Sequence, residues 1–516
     1  MAKHDYERLS AQDFSLLVFE KPNVHMHVTS TQIFEAGPLR KPDGGINIEM
    51  FRRAIDGVLH LIPRYRQRLM WTPIENRPVW VDDSHFHLNY HIRHTALPRP
   101  GGDTELKQLV ARVKEQQLDR ARPLWEMWVV EGLQGDRFAT VSKVHHCMLD
   151  GISGVDLAHV LFSPKPDYEI QEAPRYVPHQ APSQLELLSD AVMHRLSLPF
   201  QLARGVTHFR RHAADQMHDL RIRAQAIREL LGYVIEPGSQ TPINGAIGMH
   251  RRVDWMTTPL AHLEAIGHAM DCTVNDVVLA SVAGAVREYL ISRRVHPGEI
   301  DFRVSAPVNV RGKEDRGKLG NRVSSWIIPL PIAEANARKR LEALHKFTSE
   351  LKASKQALGV ETMMAIAEWA PASWMAVGAR VINGPINMIV TNVPGPRKPL
   401  YLLGARLLQL YPLVPLLENT GLGIALITYA GQICWGFNAD YEMVPDLPNF
   451  VRMLATSINE LAAAAGVELE HRPIEIAAAK PAPRPVATGR RQGKLRRERA
   501  LPAKPSAVPV EQATVS

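Results

Sequence analysis

At 516 residues, 45% of them hydrophobic, the chain is long enough for two or more domains with substantial cores. Its formal net charge is +8, but residues 477–516 hold nine Lys/Arg against two Asp/Glu, a net +7 that leaves +1 for everything before them. A nearly neutral body weakens a nucleic-acid reading, which would want a basic face on the folded part, and three widely separated cysteines, Cys147, Cys272 and Cys434, point to reduced thiols in a cytoplasmic protein rather than a disulfide frame.

Taken in chain order, the opening MAKHDYERLSAQD lacks the basic start, apolar run and cleavage site of a secretory signal. The segments Pro123–Leu133 and Arg137–His146 are rich in β-branched and aromatic residues and flank Gln134-Gly135-Asp136, which predicts a hairpin. After Gly151, Ile152, Val155, Ala158 and Phe162 recur at helical spacing, so HHCMLD sits on a strand-to-helix loop. Such loops commonly display catalytic side chains. Residues 184–233 read as long helices with an apolar stripe from Met217 to Leu231, followed by the Pro/Gly/Asn-rich Glu236–Gly248. A second half then opens with a helix over Thr273–Leu290 and continues with strands in FRVSAPVNVR, NMIVTNVPGP, GIALITYAG and QICWGFNAD, the last two a hairpin around Ala430-Gly431. The apolar stretch Leu400–Leu417 is interrupted by Arg406, Gln409, Pro412 and Pro415, so no membrane span is expected there. Residues 475–516, rich in Pro, Ala and Arg, are expected to be disordered. The division is thus 1–183, a connection over 184–248, a second subdomain over 249–474, and the basic tail.

The stretch KVHHCMLDG, Lys143–Gly151, carries the chemistry. Adjacent histidines on an extended backbone point to opposite sides, so His145 and His146 are not expected to grip one ion together, and the HExxH and CxxC spacings that recommend zinc are absent. No metal is expected. A neutral imidazole, titrating near about pH 6.5, can take a proton from an alcohol attacking an activated carbonyl. Asp150 followed by Gly151 suits a sharp turn in which the carboxylate holds the loop and glycine lets the helix start close to the strand. A polar turn with satisfied histidines is the plainer alternative for an HH pair taken alone.

HHCMLDG resembles the HHxxxDG motif of the wax ester synthase/acyl-CoA:diacylglycerol acyltransferase family, which is related to chloramphenicol acetyltransferase-like and condensation domains. The resemblance covers most of residues 8–466: LSAQDFSLLVFEKPNVHMHV, the triplet Pro123-Leu124-Trp125, TPINGAIGMHRR, the pair Asn275-Asp276, SAPVNVR, Gly320-Asn321 and NVPGP, in the family's order. Asn309 stands where the family's PVSVR has Ser, which bears on substrate preference. The resemblance implies a mixed α/β fold of two chloramphenicol acetyltransferase-like subdomains, with the site in a tunnel at their interface. It implies His146 as general base, with His145, Asp150 and Gly151 shaping its loop.

The reaction so implied moves a fatty acyl group from acyl-CoA, a co-substrate rather than a cofactor, to diacylglycerol or a long-chain alcohol, giving triacylglycerol or wax ester. Asn275 and Asp276 are candidates for oxyanion or acceptor-site support, Asn275 having helix N-capping as its plainer role. Pro123, Leu124 and Trp125 are candidates for the substrate entrance, with core packing as theirs. RGKEDRGKLGNR offers Arg311, Lys313, Arg316, Lys318 and Arg322 to coenzyme A phosphates, or simply a solvated loop. Two other readings remain: a condensation-type enzyme drawing its acyl group from a carrier protein, and a non-catalytic lipid-inclusion protein. Peripheral contact with the inner membrane face or lipid inclusions is expected, with no nucleic-acid partner.

Overall fold

A computed structural model of the chain describes residues 6–73, 76–148, 160–190, 192–193, 238–309, 323–353, 386–469 and 475–476. Glu7–Arg8 form β1, and Ser10 then caps α1, Ala11–Phe19, its Oγ accepting the Asp13 N–H at 3.1 Å. β2 is His27–Glu35, and α2, Ile48–Val58, buries Phe51 and Ile55 at the four-residue spacing that puts them on one face. β3 (Gln67–Trp71), β4 (Pro78–Asp82), the single turn α3 (Leu88–His91) and β5 (Ile92–Ala96) lead to α4, Asp103–Glu115, which buries Leu106, Val110 and Val113. β6 (Trp125–Leu133) and β7 (Arg137–His145) form the expected hairpin, with Gly135 and Asp136 both at positive φ, 77° and 53°.

In the second half, β8 (Arg251–Pro259) runs into α5 (Leu260–Ala269) and α6 (Val274–Ser292). β9 (Arg303–Asn309), β10 (Val323–Pro329), α7 (Ala337–Ala353) and β11 (Met388–Val393) follow. β12 (Tyr401–Leu402), β13 (Ala405–Leu413), β14 (Leu422–Tyr429), β15 (Gln432–Asp440), α8 (Leu447–Ala465) and β16 (Glu475–Ile476) complete the order. The β14–β15 hairpin turns at Ala430 and Gly431, φ 46° and 80°, as the sequence predicts. Nearly every residue of α6 from Asp276 to Leu290 is buried, which fits a helix apolar all round.

The strands make a small sheet, β1-β4-β3, and two large mixed sheets, β12-β13-β2-β7-β6-β5 and β10-β9-β11-β14-β15-β8-β16. Alpha-helices α5 to α8 cover the second large sheet in one core, whereas α1, α2 and α4 pack on the first. The first core extends to Val253, Trp255, Tyr429 and Cys434 of the second sheet. Trp255 stacks on Tyr411 with centroids 5.0 Å apart, and its indole N–H donates to Asp103 at the start of α4 at 3.1 Å. Lys107 of α4 pairs with buried Asp254, so α4 is clamped between the sheets.

The span 249–474 is not confined to one sheet: β13 crosses to pair with β2, from Leu413 opposite Thr29 to Leu407 opposite Phe34. Its alternation of buried Leu407, Tyr411 and Leu413 with half-buried neighbours is that of a strand with one face on a core, which hydropathy alone does not assign to either sheet. The segment 475–516 is not disordered from its first residue, since Glu475 and Ile476 pair with Thr257 and Met256 at the free edge of β8. Of the helices expected over 184–233, residues 184–190 and 192–193 are described and helical, the first opened by Ser183, whose Oγ accepts the Glu186 N–H; the Met217–Leu231 stripe lies outside the described residues. No single described helix is long and apolar enough to cross a membrane.

Candidate active site

β7 delivers the histidine pair. His145 is its last residue, and His146 begins a 3-10 turn through Met148. Two backbone bonds fix the change of direction: the His145 N–H donates to Leu124 at 2.9 Å and the His146 N–H to Met26 at 2.7 Å. Consequently the rings part as expected. His145 is 1% exposed and its Nδ1 accepts the Cys147 N–H at 3.2 Å, whereas His146 is half-buried and hydrogen-bonds no side chain among the described residues. Burial, with the neighbouring His145 and Lys114 acting in the same direction, pushes the His146 imidazole down to about 4. It is therefore neutral near pH 7 and able to accept a proton. Burial pushes the Cys147 thiol well above its usual range, so the residue between the pair and the following loop is neither thiolate nor nucleophile.

Pro123, Leu124 and Trp125 brace the pair from behind. All three are buried; Leu124 accepts the His145 N–H, and Trp125 stacks on His91 at 4.6 Å while its indole N–H donates to Tyr65 at 2.8 Å. The triplet belongs to the core, although the Trp125 ring also walls a narrow apolar cleft with Tyr65, Val144 and Leu161. Asp150 and Gly151 lie outside the described residues, as does the basic loop from Arg311 to Arg322.

Asn275 and Asp276 open α6, but the N-cap is Thr273 rather than Asn275. The fully buried Asp276 carboxylate accepts from Thr273, from His345 at 2.9 Å and from Thr348 at 2.6 Å, and against the opposing effect of burial these hydrogen bonds hold it below the usual carboxylate range. Its partners thus lie on α6 and α7. Asn275 is half-buried beside it.

Sequence reasoning missed the other side of the pair. His27 stands directly opposite His145 in the β2–β7 ladder, and Glu20, just past α1, places its carboxylate against both rings. Lys143 is also fully buried, donating to the Val113 and Gln116 carbonyls at the end of α4 and pairing with Glu126 at 2.6 Å; Lys114 donates to the His27 carbonyl. The signal lay in β2 itself, HVTSTQIFE, where His27, Thr29 and Thr31 at two-residue spacing put polar side chains on a buried face.

Residues 9–278 match the family described as "Wax ester synthase/diacylglycerol acyltransferase catalytic domain", and residues 319–462 match its C-terminal domain. Among curated proteins, "Probable diacyglycerol O-acyltransferase tgs1" of Mycobacterium tuberculosis H37Rv is 32% identical over 431 residues, 80% of this chain and 88% of that one. The solved wax ester synthase/diacylglycerol acyltransferase of Marinobacter aquaeolei VT8 superposes with a TM-score of 0.64 at 26% identity, covering 89% of this chain and all of that one. The starter condensation domain of rhizomide synthetase shares the fold, with a TM-score of 0.54 at 15% identity over 91% of this chain. The chain belongs to the wax ester synthase/diacylglycerol acyltransferase family and is an acyltransferase.

Proposed function

We propose that the enzyme transfers a fatty acyl group from acyl-CoA to the free hydroxyl of diacylglycerol or to a long-chain alcohol, with His146 as general base. The observation that carries this reading is the unequal treatment of the two histidines. One is locked by its neighbours at 1% exposure, and the other is left half-buried, neutral and without a side-chain hydrogen bond among the described residues. The imidazole removes the hydroxyl proton as the oxygen attacks the thioester carbonyl; the C–S bond then breaks and the proton passes to the departing thiolate, giving ester and free coenzyme A. Acyl-CoA enters as co-substrate, and the step as written balances with the imidazole alone moving the proton. Long acceptors are favoured because burial of an alkyl chain contributes about 0.8 kcal/mol per methylene.

Water-insoluble acceptors support a further part of the proposal, peripheral work at the inner membrane face or on lipid inclusions. The test of the substrate reading is to supply purified full-length protein with long-chain acyl-CoA plus diacylglycerol or hexadecanol, and separately with an acyl-carrier protein. Ester formation from acyl-CoA is expected. Inertness with every acyl-CoA and activity with the carrier protein alone would replace this reading with the condensation-type one.

A further inference from the structure

Glu20, His27 and His145 form a closed cluster behind the catalytic turn. His27 Nε2 lies 3.2 Å from Glu20 Oε1, and His145 Nε2 lies 3.7 Å from Oε2. All three side chains are at most 1% exposed, and their ligand atoms lie within 4.8 Å of one another. Such a set could hold a divalent cation or a shared network of protons. Arg120 separates the two: its guanidinium donates to Glu20 Oε2 at 2.6 and 3.1 Å, so the carboxylate already has a cationic partner. Lys143, paired with Glu126, also acts on His27 from within the same core, less strongly than the Glu20 carboxylate does in the opposite direction.

We propose that Glu20 is a positioning residue for His146, acting through His145; this rests on His146 being the base. Because the Cys147 N–H donates to His145 Nδ1, that nitrogen is an acceptor and the ring proton resides on Nε2, facing Glu20. The Cys147 N–H sets the tautomer, and the Glu20 carboxylate, 3.7 Å away and beyond hydrogen-bond reach, orients the His145 ring by its charge. That ring in turn holds the Cys147 amide, and so the backbone turn on which His146 stands. α1, which ends at Phe19 immediately before Glu20, packs on the same turn. His27 closes the cluster from the facing strand, with burial pushing its imidazole down to about 3, so it remains neutral and adds no competing charge.

The test is a double-mutant cycle on full-length protein with Glu20→Gln and His145→Gln, measured with palmitoyl-CoA and detergent-dispersed dioleoylglycerol. Glu20→Gln should lower kcat about 10- to 100-fold, the scale of a misplaced catalytic group, with KM for palmitoyl-CoA changed by less than about twofold. Added to His145→Gln it should cost nothing more, because its effect passes through that ring. Fully additive losses, or a loss confined to KM, would overturn the inference. So would a stoichiometric divalent metal in the purified wild type that disappears in Glu20→Gln. If Glu20→Gln does not fold, Glu20→Asp, which keeps the charge and withdraws it by one methylene, completes the same cycle. Wild-type kcat in Glu20→Gln beside an inactive His146→Ala defeats only the positioning role, whereas full activity in His146→Ala defeats the base assignment beneath it.

Discussion

His145 and His146 are chemically identical and adjacent, and only their surroundings divide their work. His145→Ala should reduce turnover less than His146→Ala, because it removes a support and not the proton acceptor; equal losses at unchanged melting temperature would contradict that division. The pH dependence follows from the same burial. A base must be unprotonated to act, and His146 is pushed down to about 4, so the acid limb of kcat/KM should fall near pH 4 rather than near the usual histidine value of about 6.5. Stability runs the same way: His27, His91 and His146, pushed down to about 3, 4 and 4, are neutral when folded and regain an ordinary affinity for protons when unfolded. Their contribution is therefore complete above about pH 6.5 and is lost as pH falls toward 4. Initial rates after a pH jump separate the two effects, and an acid limb at 6.5 with the fold intact would count against a buried base. At this scale HHxxxDG singled out His146 in the sequence, but nothing there pointed to Glu20 or Arg120, because 125 residues separate Glu20 from its partner His145 and only the packing of α1 on the turn after β7 brings them together.

Among the elements, α4 joins the site to the second sheet. Its C-terminal carbonyls receive the Lys143 ammonium, Lys114 near its end reaches the His27 carbonyl, and Lys107 reaches Asp254. Lys143→Met leaves Glu126 and two buried carbonyls without this partner, so a loss of roughly 3–5 kcal/mol is expected, read as a lower denaturation midpoint at unchanged m-value. A loss within about 0.5 kcal/mol would place Lys143 with ordinary surface substitutions. The hairpins around Gly135 and Gly431 were legible because local turn chemistry decides them. The crossing of β13 was not, since the partner of a strand is settled by tertiary packing rather than by its own alternation. The Asn275-Asp276 pair was correctly placed at a helix start, yet the bonds of Asp276 to His345 and Thr348 depend on the packing of α6 against α7 and leave no local trace.

At the scale of the whole molecule, two mixed sheets share a core through β13 and α4, and the basic residues 477–516 follow. If that tail attaches the enzyme reversibly to anionic bilayers, each basic residue near the surface contributing about 1 kcal/mol, its deletion should leave turnover of detergent-dispersed substrate unchanged and reduce liposome binding at low salt. Liposome binding that survives the deletion and ignores ionic strength would remove the tail from the mechanism. The mixed helix-and-sheet fold was legible from the order of strands and helices along the chain, whereas the sheet-edge pairing of Glu475 and Ile476 was hidden by the low-complexity composition around them. The central claim, acyl transfer by base catalysis at His146, is tested most directly by release of free coenzyme A and formation of ester by full-length wild-type and His146→Ala proteins under saturating palmitoyl-CoA and dioleoylglycerol. The wild type should release the two products in equal amounts, and His146→Ala, with its fold and acyl-CoA binding intact, should be slower by about 10²- to 10⁴-fold. A His146→Ala enzyme that forms ester at the wild-type rate would contradict the account.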